Sequence, residues 1–158
     1  MLRFAKIFQK PHLLTRFTGL TPEEFTSLAT RLKPIWEQSE KERLSQRERK
    51  HALGQGRKYK LTALEDKLLL VLISHRFQLT DELMGYIFGL HASNVCRMRI
   101  KLEPIMEKVM DSSLQQAIKS GISLNKKKIS KWEDLHAICP DFAEIIADGQ
   151  KQKLMESI

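Results

Sequence analysis

The chain has 158 residues, 42% of them hydrophobic, and its 27 Lys and Arg outnumber 19 Asp and Glu for a net charge of +8. That supports one domain, or one domain with an appendage, and a polyanionic partner, nucleic acid first. A disulfide framework is excluded by only two cysteines, Cys96 and Cys139, and a membrane span by the shortness of the longest strongly apolar run, Leu68 to Ile73. The opening residues, Met1 to Lys6, lack the apolar core of a signal peptide, so a soluble cytoplasmic protein without a membrane partner is expected.

Helix starts dominate the chain. Thr21-Pro22-Glu23-Glu24 has the form of a capping box with proline at the first helical position. Phe25, Leu28, Leu32 and Ile35 supply an apolar stripe behind it, and Pro34 predicts a kink or an end near Lys33. Residues 41–60 then carry eight basic residues against Glu42 and Glu48, six of the eight net positive charges. Gly54-Gln55-Gly56-Arg57 lies within this stretch and is too short for a nucleotide fingerprint. A basic arm along a phosphate backbone is one reading, with Arg47, Arg49, Lys50, Arg57 and Lys58 as its contacts. A solvated loop is the other.

Thr62-Ala63-Leu64-Glu65 reads as a second capping box, opening a helix to about Arg76 that is apolar on most sides and therefore central. Thr80 is placed to cap the next helix, with Asp81 and Glu82 near its positive end. Gly89 falls where two helices must turn sharply, and Gly85 is small where they must approach closely. Met84 and Phe88 before the turn, with Leu90, Val95 and Met98 after it, form one small shared core. Residues 80–103 are thus predicted to be a helix-turn-helix, its second helix running from Ala92 to Glu103. Ser93, Asn94, Arg97 and Lys101 occupy exposed positions of that helix, suited to base edges and phosphates. An ordinary helical hairpin accounts for the same pattern. His91 is placed either to cap this helix or to touch a phosphate.

Pro104 marks a kink or a new start, after which Ile105, Met106 and Val109 continue an apolar face to about Lys119. Gly121 to Lys128 reads as a linker, and Lys126, Lys127, Lys128 and Lys131 form a second basic cluster. Ser130-Lys131-Trp132-Glu133 is a third capping box, before a short helix ended by Pro140. Residues 142–149 are the one stretch compatible with a strand, and Gln150 to Ile158 reads as a frayed end. The expected class is all-α. Residues 1–120 form the helical DNA-binding domain, and 121–158 a basic linker with a short appendage.

No catalytic constellation is complete. His12, His51, His75, His91 and His136 have no metal-ligand spacing, and the acidic pairs sit at helix starts, where capping explains them better than acid–base chemistry. Trp36 and Trp132 read as core anchors rather than base-stacking platforms.

Four stretches together resemble the opening part of bacterial insertion-sequence transposases of the insertion sequence five family, in the DDE superfamily. They are Phe17 to Phe25, Gly56 to Leu61 followed by Leu64 to Leu70, the helix-turn-helix, and Ile145-Ile146-Ala147-Asp148-Gly149. The resemblance implies binding of double-stranded DNA at transposon terminal inverted repeats. It also implies a following RNase H-like nuclease domain with three metal-binding acids, the first of which Asp148 matches. The chain departs from the family where Gln150-Lys151 replaces the usual Thr-Glu, and it stops at Ile158. It resembles either a truncated copy or the first reading frame of a split gene.

The leading expectation is a DNA-binding, catalytically incomplete fragment, cytoplasmic and nucleoid-associated when bound, which needs no cofactor. The second is a subunit that supplies Asp148 to a metal site completed by a downstream reading-frame product, with Mg2+ held jointly. The third is a helical interaction module that dimerises through Ile105, Met106 and Val109 and binds no DNA.

Overall fold

The computed structural model describes residues 1–48, 50, 60–119 and 127–145. The described residues form eight named helices: α1 (Phe4–Phe8), α2 (Pro11–Thr18), α3 (Pro22–Ser45), α4 (Leu64–Phe77), α5 (Asp81–Phe88), α6 (Ala92–Val109), α7 (Ser112–Lys119) and α8 (Trp132–Ile138). Residues 141–145 are helical again. Extended pairing among the described residues is limited to one parallel bridge between Leu79 and Ile129. The class is all-α, as expected.

α4 is the axis of the core. Leu68 to Ser74 are all buried, and the helix packs against α1, α2, α3, α5, α6 and α7. A helix apolar around its whole circumference finds its free-energy minimum only when covered on all sides. Gln78, at a left-handed φ of 51°, ends it and turns the chain toward α5.

The first capping box forms as expected: Thr21 Oγ1 accepts from the Glu24 N–H (3.2 Å), and Glu24 accepts from the Thr21 N–H (2.9 Å). The other two do not. α4 has Ala63 as its N-cap and α8 has Lys131, neither with a side-chain cap bond. Each helix starts after the Thr or Ser expected to cap it. In α4 the first-turn acid has a tertiary partner instead: Asp66 Oδ1 accepts from the Phe4 N–H at 2.7 Å, joining α1 to α4.

Two prolines expected to interrupt helices lie inside them. α3 continues through Pro34 to Ser45, and α6 through Pro104 to Val109. Both prolines are exposed, so water can solvate the carbonyl that loses its amide donor. The interruption comes later, at Met110–Asp111, where Asp111 Oδ1 accepts from the Leu114 N–H (2.8 Å) and starts α7. Ile35, expected on the buried stripe of α3, is 41% exposed, while Phe25, Leu28 and Leu32 are buried.

The segment 142–145 is helix rather than strand, and 146–149 lie outside the described residues. Its apolar residues complete the core. Phe142 stacks on Phe17 with ring centroids 4.1 Å apart and meets Phe77 edge-on at 5.3 Å. Ile105 and Met106, expected on the third reading to be a dimer seam, are instead buried in the chain's own core, and Val109 packs against it. Helix α6 uses that side to pack on α3 and α4.

Candidate nucleic-acid interface

The helix-turn-helix forms where expected. Thr80 Oγ1 accepts from the Leu83 N–H (3.4 Å) and caps α5. Gly89 closes α5 at φ 69°, in the left-handed region where a β-carbon is costly. The Leu90 N–H then folds back to the Gly85 carbonyl at 2.8 Å. A β-carbon on Gly85 would run into the Leu90 carbonyl oxygen, so glycine is what lets the turn lie against α5. Met84, Phe88 and Val95 are fully buried between the two helices, with Leu90 and Met98 at the margin. The N-terminal residues brace this turn from outside. The Leu2 N–H donates to the Ile87 carbonyl (3.0 Å) and the Arg3 guanidinium to the Phe88 carbonyl (2.9 Å).

α6 is held at a fixed angle to α5 by charge. Arg99 pairs with Asp81 of α5 and with Glu103 on its own helix (3.1 Å), and Glu103 also meets His75 Nε2 of α4 (3.1 Å). Flanking carboxylates raise the already high pKa of Arg99 against the opposing effect of burial. Asp81 therefore serves as a tertiary anchor as well as a first-turn acid.

His91 is the N-cap of α6. Its Nδ1 accepts from the Ser93 backbone N–H (3.3 Å) and lies 2.8 Å from the Ser93 hydroxyl. With Nδ1 accepting, the proton of the neutral ring sits on Nε2. Of the two sequence alternatives for His91, the structure shows the cap, which uses one ring nitrogen and leaves the other outside it.

The solvent face of α6 carries Ser93, Asn94 and Arg97, all exposed, with Lys101 half-buried at its edge. The Arg97 and Asn94 side chains have no hydrogen-bond or ion-pair partner among the described residues, in contrast to Arg99 two positions on from Arg97. Ser93 is engaged by His91. The other side of this face opens into a concavity of about 720 Å³ between α3 and α6. Trp36, Glu40 and Arg43 come from α3, Lys60 and Leu61 from the segment before α4, and Lys67 from α4. The wall formed by α6 and the turn before it includes His91, Asn94, Arg97 and Lys101.

Five cations therefore face one carboxylate there. A hydrogen bond from Arg43 (2.8 Å) holds the Glu40 carboxyl below the usual range, helped by the charges of Lys101 and Lys67. Burial pushes the Lys67 ammonium below its ordinary pKa; it lies over the Trp36 ring, 5.0 Å from the centroid. Lys60 donates to the Gly89 carbonyl (3.3 Å), linking this wall to the helix-turn-helix turn.

Trp36, Arg43, Lys60 and Lys67 were not singled out as site residues by the sequence. Arg43 and Lys60 belong to the charged stretch 41–60, but Lys67 sits in a helix that reads as pure core. Trp36, taken as a core anchor, is half-buried and lines the concavity. Of the expected basic arm, Arg47 and Lys50 are exposed beyond the end of α3, while Arg49, Arg57 and Lys58 lie outside the described residues. Asp148 and Lys126 lie outside them too. Lys127, Lys128 and Lys131 are exposed and flank Ile129, whose backbone pairs beside Gln78 and Thr80 just before α5. Among the described residues no group of three His, Cys, Asp or Glu side chains is placed to hold a metal ion, and no helix is long and apolar enough to cross a membrane.

Residues 59–112, spanning the concavity's lysines and all of the helix-turn-helix, match a family model described as the helix-turn-helix of DDE superfamily endonuclease. No curated protein and no solved structure matches the chain. The matched span contains the whole of the helix-turn-helix expected at 80–103, and over that span the chain is similar to this family.

Proposed function

We propose that this chain binds double-stranded DNA in a sequence-specific way, at the terminal inverted repeats of a transposable element. α6 is the helix that enters the major groove. Arg97 is the principal base-reading residue, with Asn94 beside it, and Ser93 and Lys101 flank them. Arg43, Lys60 and Lys67 approach the phosphates on the α3 side. Arg47, Arg49, Lys50, Arg57 and Lys58 extend the backbone contacts. The observation that carries this reading is the Arg97 side chain, unpartnered among the described residues, on the open face of α6, lining a concavity together with four other cations.

The specific target rests on the resemblance of the chain's motifs to insertion-sequence transposases together with the family match at 59–112. No catalytic step is proposed, and DNA binding of this kind requires no metal or cofactor. Asp148 keeps only the role the resemblance implies, one acid of a trio completed by a partner domain. Selection of duplexes from a random library by the full chain, followed by footprinting on the inverted repeats flanking its gene, tests the reading. Enrichment of one sequence that recurs in those repeats is expected. Enrichment of a sequence absent from them would overturn the target, and no enrichment would overturn specific binding.

A further inference from the structure

Ile100 is 66% exposed, the largest exposure among the large hydrophobic side chains of the described residues. It is one helical turn on from Arg97, and at 3.6 residues per turn Ser93, Arg97, Ile100 and Lys101 share one face of α6. The buried side of the same helix is already filled by Val95, Leu102 and Met106, so Ile100 is not needed for the fold. A protein-docking surface would surround it with further large apolar groups. Its neighbours one turn away are instead Cys96, Arg97, Pro104 and a Glu103 already paired with Arg99; with Lys101 beside it, the unpaired charge next to Ile100 is cationic and complements a polyanion.

We propose that Ile100 is a specificity residue that packs on the C5-methyl group of a thymine in the major groove. The inference rests on the DNA-binding reading of α6. The groove edge of thymine is the one base edge that presents a methyl group, and an apolar side chain is the group that reads it. With Arg97 one turn away, the pair would read a guanine and a thymine close together in the site. Both side chains reach the groove from the same face, so the two preferences are coupled in position.

The test uses the full chain and the duplex it enriches from a random library. Replacing the single thymine read by Ile100 with deoxyuridine removes one methyl group and nothing else. Wild-type affinity should fall about four-fold, the value of one buried methyl-sized group. Ile100→Ala should bind the thymine and deoxyuridine duplexes equally, and in a fresh selection should lose its thymine preference at that position alone. Because Ile100 is exposed, the substitution should leave thermal stability unchanged, which is checked alongside. Equal wild-type binding at every thymine-to-deoxyuridine replacement would overturn the proposal while leaving DNA binding intact. So would an Ile100→Ala protein that still discriminates the two duplexes. Failure to enrich any duplex would remove the DNA-binding reading and this inference with it.

Discussion

Arg99 of α6 is clasped by Asp81 in the first turn of α5, and the adjacent Glu103 is shared with His75 of α4. Arg97, two residues earlier, points to solvent. Two arginines in one short run therefore have opposite tasks: one fixes the angle of the helix, the other is left free on its open face. Only 20% of the Arg99 side chain is exposed, so its ion pairs are partly shielded from water.

Arg99→Met, which keeps the aliphatic stem, should destabilise the fold by about 1–3 kcal/mol by leaving Asp81 without its partner. Urea denaturation checks this. The same variant should bind cognate and random DNA with equal proportional loss, since it alters the placement of α6 and not a base contact. An unchanged midpoint would show the cluster to be energetically neutral.

Gly85→Ala reports on the turn. In an open helix this change would stabilise by about 0.5–1 kcal/mol. Here the new methyl group would meet the Leu90 carbonyl, which is backbone and cannot rotate away. The expected result is a loss of about 1–3 kcal/mol, seen as a lower urea midpoint with an unchanged slope. A gain in stability would mean that the turn can move off α5 at little cost.

Glu40 is the carboxylate in the basic concavity, and its pKa is lowered by the hydrogen bond from Arg43. A depressed carboxylate stabilises the fold at pH above its unfolded value, and that contribution is lost as pH falls through the folded value. Glu40→Gln should therefore reduce the acid sensitivity of unfolding. It should also tighten DNA binding by roughly two- to five-fold at low salt, by removing a like charge from the phosphate path. Weaker binding by Glu40→Gln would instead make Glu40 a positioning group for Arg43.

Much of the helix-turn-helix was legible in the sequence because its determinants are local. Thr80 caps within its own turn, Gly89 supplies its own positive φ, and Met84 and Phe88 follow helical spacing. The Thr62 and Ser130 boxes failed because both helices begin after the residue expected to cap them, a choice that tertiary contacts such as Asp66 to Phe4 can decide. Pro34 and Pro104 misled because exposure, which makes an interior proline tolerable, is a property of the assembled fold. The α3 wall of the site was hidden for the same reason. Trp36 and Lys67 are 31 positions apart in the chain and meet only when α3 packs on α4.

The basic stretch after α3 has a quantitative signature. Neutralising Arg47, Arg49, Lys50, Arg57 and Lys58 together should weaken binding to all duplexes alike. For every phosphate left without its cation, the log–log salt slope should shrink by about 0.9. A slope equal to wild type would assign these residues to a solvated loop.

The central claim, that the open face of α6 reads bases, is tested most directly by comparing Arg97→Ala with wild type on the selected duplex and on a random duplex at one salt concentration. A bidentate contact to guanine predicts a loss of about 1–3 kcal/mol on the selected duplex and a much smaller loss on the random one. Equal losses on both, or none on either, would contradict the assignment of α6 as the recognition helix.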